Sequence, residues 1–191
     1  MARGKTIILV TGNQQKAVEI ERAVSSYGIT LTHRAVDVTE IQAQTLEEVI
    51  LNKVEQAFAL VKQPVLVDDT GIFFRGYDHF PGVYCRFVAM NLGFKGLLRL
   101  IEPGQAAYFS SFIAFKARAK QPPVLFNGKC FGTLTKKLHG PIKQKMPYDN
   151  FFIPNGDTRT FAEMGVADKQ KYDHRSKAVK KFAKYYAKNY F

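Results

Sequence analysis

A chain of 191 residues with 46% hydrophobic and 23% charged content reads as one soluble globular domain, residues 1–191. Its two cysteines, Cys85 and Cys130, have no metal-ligand spacing and suit reduced thiols in an intracellular protein better than a disulfide scaffold, while no apolar run is long enough for a membrane span. A formal net charge of +12 calls for a polyanionic partner (a nucleotide, a nucleic acid or an anionic surface), the alternative being an evenly basic surface adapted for solubility.

In chain order, Thr6 to Val10 reads as a short buried strand and Thr11-Gly12-Asn13 as a turn. Asn13 is a good N-cap, and Ala17, Ile20, Val24 and Tyr27 recur at helical spacing until Gly28 stops the helix. A strand, a tight glycine turn and a helix aim free backbone N–H groups at an anion, and Lys16 lies in the first turn. With one glycine and no Gly-Lys-Ser/Thr, the pattern suits a phosphate site and an ordinary turn equally. Ile29 to Val36 reads as a second strand. Thr45-x-x-Glu48 is a capping box opening a helix to about Lys62, with Val49, Ile50, Ala57 and Leu60 on its apolar face. Lys53 falls among them, either snorkelling to the rim or held there for a charge partner.

Val65-Leu66-Val67 then runs into Asp68-Asp69, with Thr70-Gly71 read as a turn after them. Alone, the pattern fits a strand ending in solvated acids; it also fits a strand delivering carboxylates to a metal or a phosphate. Gly76 to Tyr84 is a loop rich in Gly, Pro and aromatics, and Leu92 to Ile101 a helix stopped by Pro103-Gly104. Tyr108 to Ala119 and Val124 to Leu134 are strands joined through Gln121-Pro122-Pro123. Thr160 to Gly165 reads as a short helix and Lys169 to Arg175 as a polar connection. A last helix, Ser176 to Tyr190, carries Lys177, Lys181, Lys184 and Lys188 opposite Val179, Phe182 and Tyr186.

The motifs Thr11-Gly12-Asn13-x-x-Lys16-x-x-Glu19, Glu40-Ile41-Gln42, Val67-Asp68-Asp69-Thr70-Gly71 and Phe80-Pro81-Gly82-Val83-Tyr84 occur in that order. Pro154-Asn155-Gly156, Phe161-Ala162-Glu163-Met164, Lys169 and His174-Arg175 follow. The series resembles the inosine triphosphate pyrophosphatase (Ham1-like) family from about Thr6 to Ala183. The resemblance implies an elongated α/β fold: a mixed twisted sheet flanked by helices, in two lobes with a nucleotide cleft between them. It also implies a cytoplasmic homodimer that hydrolyses inosine and xanthosine triphosphates to the monophosphate and pyrophosphate with Mg²⁺.

By motif position, Thr11, Gly12, Asn13, Lys16 and Lys53 would hold the phosphates. Glu40 and Asp69 would hold Mg²⁺, a hard cation suited to carboxylates and substrate phosphate. Asp69 would also orient or deprotonate the attacking water, with Lys53 facing the triphosphate and Asp68, its strand neighbour, secondary on the opposite face. Met146, Tyr148, Asp149, Lys169, His174 and Arg175 would meet the base, donors there favouring a purine 6-carbonyl over an amino group. The chain departs from the family's Gly-Phe-Gly-(Trp/Tyr)-Asp-Pro: Lys145-Met146-Pro147-Tyr148-Asp149-Asn150 replaces the stacking aromatic by Met146 and loses both glycines. The phosphate and metal half therefore looks intact and the base half altered. The alternative is a nucleotide- or nucleic-acid-binding protein of the same fold with altered base specificity or lost catalysis, suggested by the charge and the lysine-rich last helix.

Overall fold

The computed structural model describes residues 6–190, which form an α/β protein of two compact units. A seven-stranded mixed sheet runs in the order β2-β1-β3-β5-β6-β7, with β4 attached to β3. Its strands are β1 Ile7–Val10, β2 Leu31–Arg34, β3 Val65–Phe74, β4 Pro81–Gly82, β5 Ala106–Lys116, β6 Val124–Leu134 and β7 Phe152–Pro154. The helices are α1 Gln14–Ser25, α2 Leu46–Val61, α3 Cys85–Arg99, α4 Val166–Tyr172 and α5 His174–Tyr190.

The first unit takes in residues up to 69, 111–128 and 175 onward. Here β1 pairs in parallel with β2 and with the start of β3, Val10 standing opposite Val67. Side chains alternate across such a strand. Ile7, Leu9 and Leu66 accordingly pack with Ala17, Ile20 and Val24 of α1 and with Val179, Phe182 and Tyr186 of α5. Ile8, Val10, Val65 and Val67 pack instead with Ile50, Val54 and Ala57 of α2. The expected caps are present: the Asn13 side chain accepts from the N–H groups of Gln15 and Lys16, and Thr45 and Glu48 form the reciprocal box. On α5, Lys177, Lys180, Lys181, Lys184 and Lys188 are exposed and the apolar stripe is buried.

The second unit, residues 70–110 and 129–174, has its own core of Phe74, Leu97, Phe109, Phe151, Phe152 and Phe161. Four expectations need correction. Thr70-Gly71 is no turn: β3 continues through it to Phe74. Gly71 serves another purpose, since a Cβ there would lie 2.6 Å from the Gly82 carbonyl oxygen, so the glycine admits the backbone of β4. Helix α3 begins at Cys85 rather than Leu92 and is interrupted at Gly93, where φ is 57°. Its first turns leave Phe87 and Met90 exposed, so the core-facing period that marks a helix is missing there. Thr160 to Gly165 is a turn, although Thr160 donates to the Glu163 carboxylate from both its N–H and its hydroxyl. The helix begins after it, and the stretch from Lys169 to Arg175 is α4 and the start of α5 rather than a connection. Polarity there signals buried partners: Lys169, Asp173, His174 and Arg175 are each at most 3% exposed.

Candidate active site

The parallel pairing of β1 with β3 ends at Val10 and Val67, and beyond the carboxyl end of β1 lies the place where ligands of open α/β sheets collect. Val10 leads into the Thr11-Gly12-Asn13 turn at the N-terminus of α1, and Asp68 and Asp69 follow the Val67 that pairs with Val10. Gly12 has no atom within 4 Å of the place where a Cβ would stand, so its backbone is open to an incoming group. The Thr11 carbonyl is held 2.7 Å from Nε2 of His33 on β2, which steadies the turn.

The alternation that builds the core also divides the two carboxylates. Asp68 shares the face of Leu66, where α1 and α5 pack; Asp69 shares the face of Val65 and Val67, where α2 packs. The partners agree. Asp68 Oδ2 lies 3.2 Å from Nζ of Lys16 on α1 and accepts from Nε of Arg175 on α5 at 3.1 Å. Arg175 also donates from Nη1 to Glu19 of α1. Burial opposes the Asp68 charge, but Lys16, Arg175 and Lys53 outweigh it and hold the carboxyl well below the usual carboxylate range. The other carboxylate oxygen, Oδ1, is buried with no hydrogen-bond partner among the described residues.

On the α2 face, Lys53 Nζ donates to Glu40 Oε1 at 3.1 Å. Burial works against the Lys53 ammonium, yet Asp69, Asp68 and Glu40 together raise it above its ordinary range. Burial raises the Asp69 carboxyl; Lys53 and Lys16 pull it down, Asp68 and Glu40 push it up, and the net direction is upward. A carboxylate raised in this way is a better proton acceptor than an ordinary Asp. The Asp69 carbonyl accepts from the Ser111 hydroxyl at 3.1 Å, tying this point of β3 to β5.

Among the described residues no three His, Cys, Asp or Glu side chains converge as a ready metal cage. Mg²⁺ needs none, because it keeps several waters and binds through one or two carboxylates plus substrate phosphates. Glu40 and Asp69, coupled electrostatically through Lys53, are hard oxygen donors of that kind, and the donor set fits.

The second unit brings together Met146, Asp149 and Lys169. Lys169 Nζ donates to Asp149 Oδ2 at 2.7 Å, lies 3.8 Å from Met146 Sδ and sits over the Phe161 ring at 5.0 Å. His174 stacks on Phe109 with ring centroids 4.6 Å apart. Tyr148 is placed differently from its expected neighbours. Its ring packs edge-on against Phe74 and Phe151, its hydroxyl donates to the Cys85 carbonyl at 2.7 Å, and burial pushes the phenol far up. Arg175 joins the Asp68 cluster in the first unit rather than the Asp149 group, a placement the His-Arg pair in the sequence does not reveal. Sequence reasoning assigned no role to Glu19 or Lys143, although Glu19 stands in the Thr11-Gly12-Asn13-x-x-Lys16-x-x-Glu19 pattern and signals its place by helical spacing from Lys16.

The family model described as Ham1 family matches residues 7–185. A dITP/XTP pyrophosphatase of Saccharolobus solfataricus is 33% identical over 193 residues, covering 97% of this chain and 95% of that protein. One of Methanothermobacter marburgensis is 36% identical over 186 residues, covering 96% and 97%. Among solved structures, a HAM1 protein from Coxiella burnetii superposes with a TM-score of 0.80 at 20% identity, covering 96% of this chain and 99% of that one.

Proposed function

The chain belongs to the Ham1 family, and from that membership we propose that it is a cytoplasmic pyrophosphatase of non-standard purine nucleoside triphosphates. Inosine, deoxyinosine and xanthosine triphosphates would be cleaved between the α and β phosphates, giving the monophosphate and pyrophosphate. The names of the relatives support the reaction, and the cluster of Asp69, Lys53 and Glu40 carries it in this chain.

Each residue has work suited to its surroundings. Thr11, Gly12 and Asn13 present the open turn at the α1 N-terminus to phosphate oxygens. Lys16, braced by Asp68, and Lys53, braced by Glu40, stabilise the charge that builds up on the departing pyrophosphate. Asp69 orients the water and takes its proton. Glu40 and Asp69 would hold Mg²⁺, which when bound neutralises phosphate charge and makes the phosphorus a better electrophile. In the second unit, Lys169 and His174 give donors for a purine 6-carbonyl, Asp149 accepts from the base N–H, and Met146 packs on the ring. Tyr148 and Arg175 act from behind, fixing the 147–150 turn and Asp68 respectively.

The test is a panel of triphosphates with Mg²⁺, assayed separately for pyrophosphate and orthophosphate. Pyrophosphate from the inosine and xanthosine substrates, little from ATP, and loss of turnover in EDTA are expected. Orthophosphate alone, or no turnover of any triphosphate, would overturn the reading. The proposal includes a homodimer, supported by exposed apolar side chains on the first turns of α3, where Phe87 is 65% and Met90 74% exposed. Sedimentation should give twice the chain mass, and Phe87→Glu/Met90→Glu should give a monomer. A wild type that sediments as a monomer at micromolar concentration would remove the dimer.

A further inference from the structure

Asp149 does not belong to Lys169 alone. Its Oδ2 also lies 3.5 Å from Nζ of Lys143, which no role assigned so far explains. Lys143 is anchored at both ends. Its backbone N–H donates to Asn150 Oδ1 at 3.2 Å, and the carboxamide nitrogen of that fully buried Asn150 donates to the carbonyls of His139 and Pro141. At the other end its ammonium reaches the Phe161 carbonyl, 3.5 Å away. Asn150 thus fastens the 139–143 stretch so that Lys143 is delivered to a carboxylate already paired with Lys169.

Two ammoniums on one carboxylate leave the trio with a single surplus positive charge. Asp149 and Lys169 are 3% and 2% exposed and the Lys143 side chain 22%, so water screens that charge only in part and an anion placed there gains from it. Other titratable groups stand on the segments of chain that carry the trio or adjoin it. Glu163 is engaged by Thr160 and lies 3.9 Å from His139 Nδ1; Lys145 is exposed on the same loop; Asp173 and His174 stand buried where α4 meets α5.

We propose that Lys143 is a specificity-determining residue, selecting purines whose ring is an anion at neutral pH. The inference rests on the pyrophosphatase reading and on Asp149 and Lys169 meeting the base. A purine with carbonyls at both positions 2 and 6 loses a ring proton near neutrality, because the negative charge spreads over both carbonyls. Hypoxanthine, with one carbonyl, keeps its proton into alkaline solution. A site holding one carboxylate against one lysine would treat the two bases nearly alike. The second lysine breaks the tie in favour of xanthine, through a charge-assisted contact that the neutral base cannot return.

The experiment measures kcat/KM for xanthosine, inosine and adenosine triphosphates with wild type, Lys143→Gln and Lys143→Arg, across mildly acidic to mildly alkaline pH. Wild type should prefer the xanthosine substrate, and that preference should fade on the acid side as xanthine takes up its proton. Lys143→Gln should lose about tenfold on the xanthosine substrate and change little on inosine, while Lys143→Arg retains the preference. Taking the ratio of two substrates at each pH cancels any effect of pH common to both. An unchanged ratio in a folded Lys143→Gln protein, or a parallel loss on both substrates, overturns the proposal. So does a wild-type ratio that is flat with pH, a readout that needs no variant. No turnover of any triphosphate would instead sink the pyrophosphatase reading, and this inference with it.

Discussion

Asp69→Asn is expected to lower kcat by roughly 10²–10⁴-fold, the range over which a positioned general base contributes. The substitution keeps the shape of the side chain and removes its charge and its basicity. Asp69 stands on the α2 face of β3, where burial and the nearby Asp68 and Glu40 charges raise its affinity for a proton and Lys53 restrains that rise. An amide there neither accepts a proton from water nor offers Mg²⁺ an anionic oxygen. Lys16 and the Thr11–Asn13 turn are untouched, so substrate binding should suffer far less than turnover. Pyrophosphate release at saturating substrate, with KM measured beside it, separates the two effects. Turnover within a few fold of wild type would take Asp69 out of the catalytic centre.

Much of the local structure around Asp69 was legible because it obeys short-range rules. The Asn13 cap, the Thr45–Glu48 box and the period-2 alternation of β1 and β3 are short-range patterns, and they fix which face each carboxylate takes. The opposite orientation of Asp68 and Asp69 follows from the pleat alone. What stayed hidden depends on tertiary partners. Thr70-Gly71 carries the composition of a turn, yet the glycine is needed because β4 approaches within contact distance. Lys169 to Arg175 carries the composition of a loop, yet its charges are satisfied inside, Lys169 by Asp149 and Arg175 by Asp68 and Glu19. Polar composition indicates solvent only where no buried partner of opposite charge is at hand. Lys143 illustrates the same point, since nothing in Gly140-Pro141-Ile142-Lys143 announces a carboxylate six residues further on.

Arg175→Met should cost about 3–5 kcal/mol of folding stability, the penalty typical of removing one partner from a buried ion pair. The Arg175 side chain is 4% exposed and bridges Glu19 on α1 to Asp68 on β3, so methionine fills the volume and withdraws the charge from both carboxylates at once. Arg175→Lys keeps the charge, but a single ammonium cannot span the two carboxylates as a planar guanidinium does, and an intermediate loss is expected. Acid should narrow the gap. The native Asp68 pKa is depressed, so its contribution is complete above the ordinary carboxylate range and is lost as pH falls through that range toward the native value. Where Asp68 is protonated in native and unfolded chains alike, Arg175 has one charge fewer to hold and its removal matters less. Urea unfolding of wild type and both variants at neutral and acidic pH measures this. The same proteins, assayed on inosine and xanthosine triphosphates, show what the bridge does for catalysis. A residue that braces Asp68, and through it Lys16, should lower turnover of both substrates by one common factor. A shift in base preference with stability intact would mean instead that Arg175 leaves the cluster to read the base.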